Sequence, residues 1–497
     1  MKQAKGYRLI FGYLGIFMVA IGIICLLPLF ALFAFPEEVQ YAKNFYIPGL
    51  ASIVLGLGLS FLIFKREKQQ LGKHQDVVLL VLIWLVAVLI TAVPFILLGM
   101  SFTDSVFETT SGFATIGLTV FNRFDLHVYT LYRALLALFG GVGLVLVVTS
   151  AISDRYGFRL YTSEGHNDKL MPNLVKSARL ILGIYLAYIV LGSLALWLAG
   201  MPIFDSICHS ISALATGGFS SRAGGFSEAA AGGNVIALEV IICVLMVLGS
   251  TNFLIHLFIL TGKWKQVFKD CEFRLFGLLV LIGVPLFILS VFLNNPTLPF
   301  GDSARYGAFT FFSAISTTGY SNVPAGAPLS MIGNSTLFLI VALTIIGGGV
   351  GSTAGGVKQY RVAVMCKSFY WSLKSKGTSK RMVYPHYIWR CGEYKEVTGA
   401  DSIEAYSFGA LYMVILLVGA GIITLLETSS GVTFGDALFE FANAISSAGL
   451  SCGLTSIASV GTKWVLIVGM FACRLEFIPI FFALFRIVRD IFRKETI

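Results

Sequence analysis

One short stretch occurs four times in this chain, and its spacing constrains the fold more than any other feature. It reads TTSGFATIGLTV at 109–120, SALATGGFSSR at 212–222, SAISTTGYSNV at 313–323 and NAISSAGLSCG at 443–453. Aligned on Gly117, Gly218, Gly319 and Gly449, the copies lie 101, 101 and 130 residues apart. A fixed long period of this kind is a repeat architecture. Two residues before each glycine stand Thr115, Thr216, Thr317 and Ser447, and two after it stand Thr119, Ser220, Ser321 and Ser451. Thirteen before it, three copies carry Asp104, Asp205 and Asp436, whereas the third has Tyr306, with Asp302 nearby.

Composition places these repeats in a membrane. The chain has 497 residues, of which 57% are hydrophobic and 12% charged, with a mean hydropathy of +0.84; that profile belongs to a polytopic membrane protein. Apolar windows at 9–35, 46–64, 77–99, 130–151, 177–200, 235–260, 274–294, 333–357, 404–427 and 463–485 are long enough to cross a hydrocarbon layer, which needs about 20 residues. The first is too long for the apolar core of a secretory signal, about 7–15 residues, and reads as a retained helix. The segment before each signature glycine is too short to span and reads as a re-entrant half-helix. The expected fold is therefore an all-α polytopic membrane protein. It has about ten transmembrane helices, in four tandem helix–pore-helix–helix repeats with pseudo-four-fold symmetry. The expected divisions are an N-terminal two-helix hairpin at 1–70 and repeats at 71–160, 161–270, 271–400 and 401–497.

With the N-terminus inside and every signature on the opposite side, the segments 1–8, 65–76, 153–179, 261–274, 358–403 and 486–497 face the cytoplasm. They hold 29 of the 36 Lys and Arg residues, a strong positive-inside bias. The net charge of +10 is thus mostly topology, and nucleic-acid binding is not expected. The longest and most basic of these loops, 358–403, reads either as an anchor on anionic membrane lipid or as a docking surface for a cytosolic partner. Eight scattered cysteines form neither a CxxC pair nor a disulfide framework. Neither HExxH nor paired aspartates occur, so an intramembrane enzyme is not expected.

The signature chemistry suits a bare monovalent cation. Such an ion needs a ring of oxygens that does not hold it too tightly, and backbone carbonyls serve. Glycine lets the backbone turn successive carbonyls toward one axis. Flanking Thr or Ser hydroxyls tether the loop or extend the oxygen lining, and each half-helix points its partly negative C-terminal end at the site. The expected lining is Thr115, Ile116, Gly117; Thr216, Gly217, Gly218; Thr317, Thr318, Gly319; and Ser447, Ala448, Gly449. Glu108, His209 and Glu440, nine residues before the glycines, are expected to satisfy backbone groups behind the loops, with Thr310 at that position in the third copy. The three aspartates are expected to act as helix N-caps. Arg133, Asn252 and His256 are candidates for an inner cavity.

Below the signatures, GGGVGSTAGGVK at 347–358 is too glycine-rich for a straight helix, each glycine costing up to about 1 kcal/mol against alanine. Val357 before Lys358 breaks the Walker pattern. The run reads as an interruption that lines or plugs a cavity. Arg474 stands mid-span in CRLEF, where a lone charge costs at least about 2.5 kcal/mol, so it faces an aqueous path or a partner. With these motifs and GGVGLV at 140–145 and STNFLIH at 250–256, the chain resembles the TrkH/TrkG/KtrB superfamily of potassium transporters, its TrkH branch most of all, over nearly its whole length. The resemblance implies potassium uptake across the plasma membrane, the inner membrane in a bacterium. It implies a selectivity filter at the four loops and a gate made of Gly347, Gly348, Gly349, Gly351, Ser352, Thr353, Gly355, Gly356, Lys358 and Arg474. It also implies a homodimer of pore subunits and a cytosolic TrkA-like nucleotide-binding regulatory ring, with potassium as substrate and no cofactor bound by this chain. A sodium-preferring or cation-coupled symporter of the same superfamily is the alternative.

Overall fold

A computed structural model describes residues 7–63, 75–143, 174–377 and 386–493. It is almost wholly helical, with one two-stranded hairpin, Tyr387–Arg390 against Glu393–Glu396. Four long outer helices, Gln75–Leu97, Leu174–Leu198, Cys271–Asn294 and Gly399–Leu426, are each followed by a half-helix: Phe102–Phe113, Ile203–Leu214, Phe300–Ile315 and Phe434–Ile445. The half-helices are 12, 12, 16 and 12 residues long, too short to cross. Inner helices follow at His127–Val142, Val235–Ser250, Asn334–Ile346 and Val460–Arg474.

Ahead of the repeats, Tyr7–Leu26 packs along Lys43–Ile63. The seam is glycine: a Cβ on Gly15 would lie 2.6 Å from the Gly56 carbonyl oxygen, and one on Gly22 2.5 Å from that of Gly49. Hydrocarbon offers no hydrophobic drive between helices, so close backbone contact does the holding. Ser52 and Ser60 add hydrogen bonds across it, to the Met18 and Gly12 carbonyls. The first window is not one helix throughout, because after Leu26 it tightens into a 3-10 turn at Leu27–Phe33.

Among the described residues six helices are long and apolar enough to cross a membrane, and two further spans are bent pairs. The first and third inner helices, His127–Val142 and Asn334–Ile346, are shorter, with 16 and 13 residues; the far part of the 130–151 window lies outside the described residues. Three inner spans are broken: the third at its glycine-rich run, as expected, and the second and fourth where continuous windows were expected. The second turns by 112° between Ser250 and Phe253, and the fourth by 97° between Arg474 and Phe477. The third stops at Ile346, and a new helix begins only at Gln359. Asn252 accepts from the Leu254 N–H at 2.8 Å and so starts the second limb of its pair; Glu476, at φ 54°, makes the corner of the other.

Candidate ion path: four glycine loops over a glycine-rich plug

The sequence-predicted residues of all four loops come together at the C-terminal ends of the half-helices. Thr115, Thr216, Thr317 and Ser447 share a left-handed conformation, with φ of 54°, 50°, 54° and 56°. Such values are uncommon outside glycine and cost about 1–3 kcal/mol each, so four in register are imposed by the surroundings. Gly117, Gly218 and Gly319 also have positive φ, 92°, 63° and 88°. In the first three loops φ therefore alternates in sign, positive at the Thr, not at the next residue, and positive again at the glycine, the residue that takes that sign most readily. Gly449 does not take positive φ and is required for another reason. A Cβ there would collide with the Ile116 carbonyl oxygen.

That collision belongs to a closed ring of contacts. A Cβ on Gly117 would lie 2.5 Å from the Gly217 oxygen; one on Gly218 would strike the Thr318 oxygen, and one on Gly319 the backbone of Gly449. Each loop therefore abuts the next, and the fourth returns to the first. On one side of the ring is a vestibule of about 270 Å³, lined in part by Gly218, Gly319, Tyr320, Gly449 and Leu450. Glycine also brings the inner helices close: Gly140 and Gly249 press against the backbone of Phe113 and Leu214, where any side chain would clash.

Behind the ring the titratable residues act as braces. Glu108 accepts from the Thr119 hydroxyl (2.9 Å), the Val120 N–H (3.0 Å) and Arg133 Nε (2.7 Å). Glu440 accepts from the Ser451 hydroxyl (2.7 Å) and from the N–H groups of Cys452 (3.2 Å) and Thr455 (3.1 Å). His209 Nε2 lies 3.2 Å from the Ser220 hydroxyl. Three braces thus reach the residue two positions past the glycine; Glu108 and Glu440 also take loop N–H groups, the backbone role expected, while His209 reaches its loop through the Ser220 hydroxyl. The third loop is held differently. Asn322 donates to Glu239 on the second inner helix at 3.1 Å, and Arg305 grips the same carboxylate at 2.8 Å.

Arg133 is a correction to the sequence reading. It lies behind the first and second loops, 1% exposed and paired with the fully buried Glu108, under the rings of Phe121, Phe124 and Phe219. Breaking a buried pair from one side costs about 3–5 kcal/mol, because the surviving charge has no partner. Arg133→Met is expected to lower the unfolding temperature of the detergent-solubilised chain strongly, with Glu108→Gln added in the same chain restoring part of the loss. The aspartates are also corrected in detail. Asp104 and Asp436 are the third residues of their half-helices, and Ser101 and Thr433 are the N-caps that bond them. Asp205 instead pairs with Arg222 at 2.8 Å.

Directly beneath the ring sits the glycine-rich run. The Thr216 hydroxyl donates to that of Thr353 at 3.0 Å, and Gly355 N–H donates to the Thr317 hydroxyl at 2.9 Å. Thr115 reaches the Thr353 carbonyl more weakly, at 3.4 Å. The run is pinned to the break in the second inner helix: Thr353 donates from its hydroxyl to Gly249 O (2.9 Å), Gly349 N–H to Ser250 O (3.0 Å), and Phe253 N–H to Gly351 O (3.0 Å). Its base is closed by Val357 N–H to Ile345 O (2.8 Å), Gln359 N–H to Gly348 O (2.8 Å) and the Gln359 amide to Gly347 O (3.1 Å). Gly347, Gly351, Gly356 and Lys358 all have positive φ. Ser352 is buried and bonds back to Gly349 O at 2.6 Å. The space left between this run and the fourth repeat is about 30 Å³, lined by Lys358, Ser447, Cys473 and Arg474 among others, which is room for about one water.

Lys358 turns its ammonium onto the Ala354 carbonyl. Arg474 donates to the carbonyls of Gly140 and Gly141 at the end of the first inner helix, with Trp84 5.6 Å away. Glu476 pairs with Arg361 at 2.7 Å. Asn252 holds the second break, and His256, buried, sits 3.0 Å from the Leu248 carbonyl.

Six apolar helices and two bent pairs, each long enough to cross a membrane, around a closed ring of four loops define a helical polytopic membrane protein. Comparison with known proteins agrees. The model of the TrkH family, described as a cation transport protein, matches residues 41–490. The chain is 30% identical to an uncharacterized cation transporter of Methanocaldococcus jannaschii over 94% of both chains. It is also 30% identical to the Trk system potassium uptake protein TrkH of Salmonella typhimurium, over 83% of this chain and 85% of that one. The crystal structure of the potassium transporter TrkH from Vibrio parahaemolyticus has the same fold, with a TM-score of 0.82 at 23% identity and coverage of 97% and 98%. The chain belongs to the TrkH family of cation transporters.

Proposed function

We propose that this chain is the pore subunit of a potassium-uptake system. The observation that carries this reading is the closed ring in which each signature glycine abuts the backbone of the next repeat, with oxygens of Ile116, Gly217 and Thr318 at the points of closest approach. Such a ring replaces a cation's hydration shell with uncharged carbonyls. Thr115, Ile116, Gly117, Thr216, Gly217, Gly218, Thr317, Thr318, Gly319, Ser447, Ala448 and Gly449 form the selectivity filter in this reading. The run Gly347–Lys358 is the gate. Arg474 and Lys358 place positive charge below the filter, which shortens cation residence there. The basic segments lie in the cytoplasm with both termini, and the vestibule faces outward. The units 1–70, 71–160, 161–270, 271–400 and 401–497 are the hairpin and the four repeats. A second copy of the chain and a cytosolic nucleotide-binding ring complete the system, the ring acting through the basic 358–403 segment.

Growth of a potassium-uptake-deficient bacterium at sub-millimolar potassium tests this reading. Expression of the chain with a cytosolic nucleotide-binding partner is expected to restore growth. Failure to restore it with an expressed, membrane-inserted chain contradicts the reading, and restoration only with added sodium favours a sodium-coupled symporter.

A further inference from the structure

The third repeat departs from the others at its half-helix, and the departure opens a groove. Fifteen residues before the signature glycine, the other copies carry Phe102, Ile203 and Phe434, and eleven before it they carry Val106, Ile207 and Leu438. The third copy has Ala304 and Ala308 there. In the first copy the larger side chain packs against the neighbouring inner helix, with the Phe102 and Trp464 rings 6.3 Å apart. In the third, the alanines leave a cavity of about 580 Å³ between the half-helix and the second inner helix, backed by Phe309 and Phe312. It opens where Ile236, Val240 and Val244 are exposed, on a face that hydrocarbon covers. An empty space of this size would forfeit the dispersion contacts of its whole lining.

At its signature-loop end the groove carries a small ionic cluster. Arg305 donates to Glu239 at 2.8 Å and to Asp302 at 3.1 Å, with the Arg305 side chain 31% exposed and that of Asp302 40%. An accessible guanidinium beside an accessible carboxylate complements the phosphate and ammonium of a zwitterionic headgroup. The geometry points to a structural lipid site in which the tail of one zwitterionic phospholipid fills the groove beside Ala304 and Ala308 and its headgroup rests on Arg305 and Asp302. The site lies against the brace of the third filter loop, since Glu239 is also the acceptor for Asn322. The occupant thereby stiffens the one loop that lacks a Glu or His at the offset nine residues before its glycine.

Native mass spectrometry of the full chain after detergent exchange, titrated with dioleoyl phosphatidylethanolamine, tests the proposal. The chain is expected to retain one such lipid, in preference to phosphatidylglycerol. Ala304→Phe with Ala308→Leu, which restores the fourth repeat's side chains, is expected to weaken retention at least about tenfold, because the filled groove no longer offers its lining to the tail for packing. Ala308→Val alone, the first repeat's residue, is the milder variant should the double one misfold. Arg305→Gln is expected to abolish the headgroup preference. Equal retention by the chain and by the folded variants would overturn the proposal, as would a preference for the anionic lipid. Efficient Cys243-to-Cys243 cross-linking between copies would overturn it too, because a second copy would then fill the groove.

Discussion

Deletion of Val350–Gly356 is expected to raise cation flux through the reconstituted chain by about tenfold or more. The tip of this run is held to the ring and to the second inner helix by hydrogen bonds from or to Thr216, Thr317, Gly249, Ser250 and Phe253. Each contributes about 0.5–1.5 kcal/mol net, and every 1.4 kcal/mol shifts an open–closed equilibrium about tenfold. If the run is the gate, as proposed, opening must break several of them together, and the arrangement described, with about 30 Å³ left between the run and the fourth repeat, corresponds to the closed one. The deletion removes the obstruction together with these bonds, except the one from Gly349 to Ser250. Its base keeps Gly347–Gly349 and the Val357 and Gln359 bonds, so the flanking helices stay connected. Potassium or rubidium flux into proteoliposomes reads the effect. A folded deletion variant that conducts no more than the parent would show that the run is a packing element and that the gate lies elsewhere.

Gly117→Ser is expected to lower the preference for potassium over sodium by about tenfold or more, a differential of about 1.4 kcal/mol. Two effects act together. The backbone at Gly117 is held at φ 92°, which costs a non-glycine residue about 1–3 kcal/mol. The new Cβ would also stand 2.5 Å from the Gly217 oxygen, so that oxygen must move. A shifted oxygen no longer replaces the hydration of the larger ion as well, while a smaller ion that carries part of its water is less affected. Thr119→Ala is the control. It removes a donor to Glu108 without touching the ring, and is expected to change stability more than selectivity. Competition of sodium with potassium uptake distinguishes the two outcomes.

Much of this was legible in the sequence because repetition multiplies a weak signal. A single TTGY says little, but four copies in register between apolar spans mark four equivalent loops, and the side-chain braces followed from one shared offset. The inner-helix breaks were less legible. The 347–358 run announces its own interruption, but Ser250–Phe253 and Arg474–Phe477 carry no comparable cluster. Only Asn252, a residue suited to starting a helix, was a local signal for the first. The left-handed Thr115, Thr216, Thr317 and Ser447 could not be read at all, since non-glycine residues, β-branched threonine most of all, resist that conformation and the surroundings impose it. The partners of Arg474 were also hidden. Carbonyls freed at the end of a helix become hydrogen-bond acceptors only through tertiary packing. The alanines at 304 and 308, and the Glu239 brace they adjoin, carry no signal of their own in the sequence and have no meaning until the second inner helix is seen beside them.

The most direct test of the central claim is uptake measured in proteoliposomes containing the full chain and its cytosolic partner, with potassium offered against an about tenfold excess of sodium. A potassium filter of the kind proposed requires potassium to enter at nearly its uncontested rate while sodium entry stays near background. Equal entry of the two ions, or sodium entry that potassium does not suppress, would contradict a potassium filter at the four glycine loops.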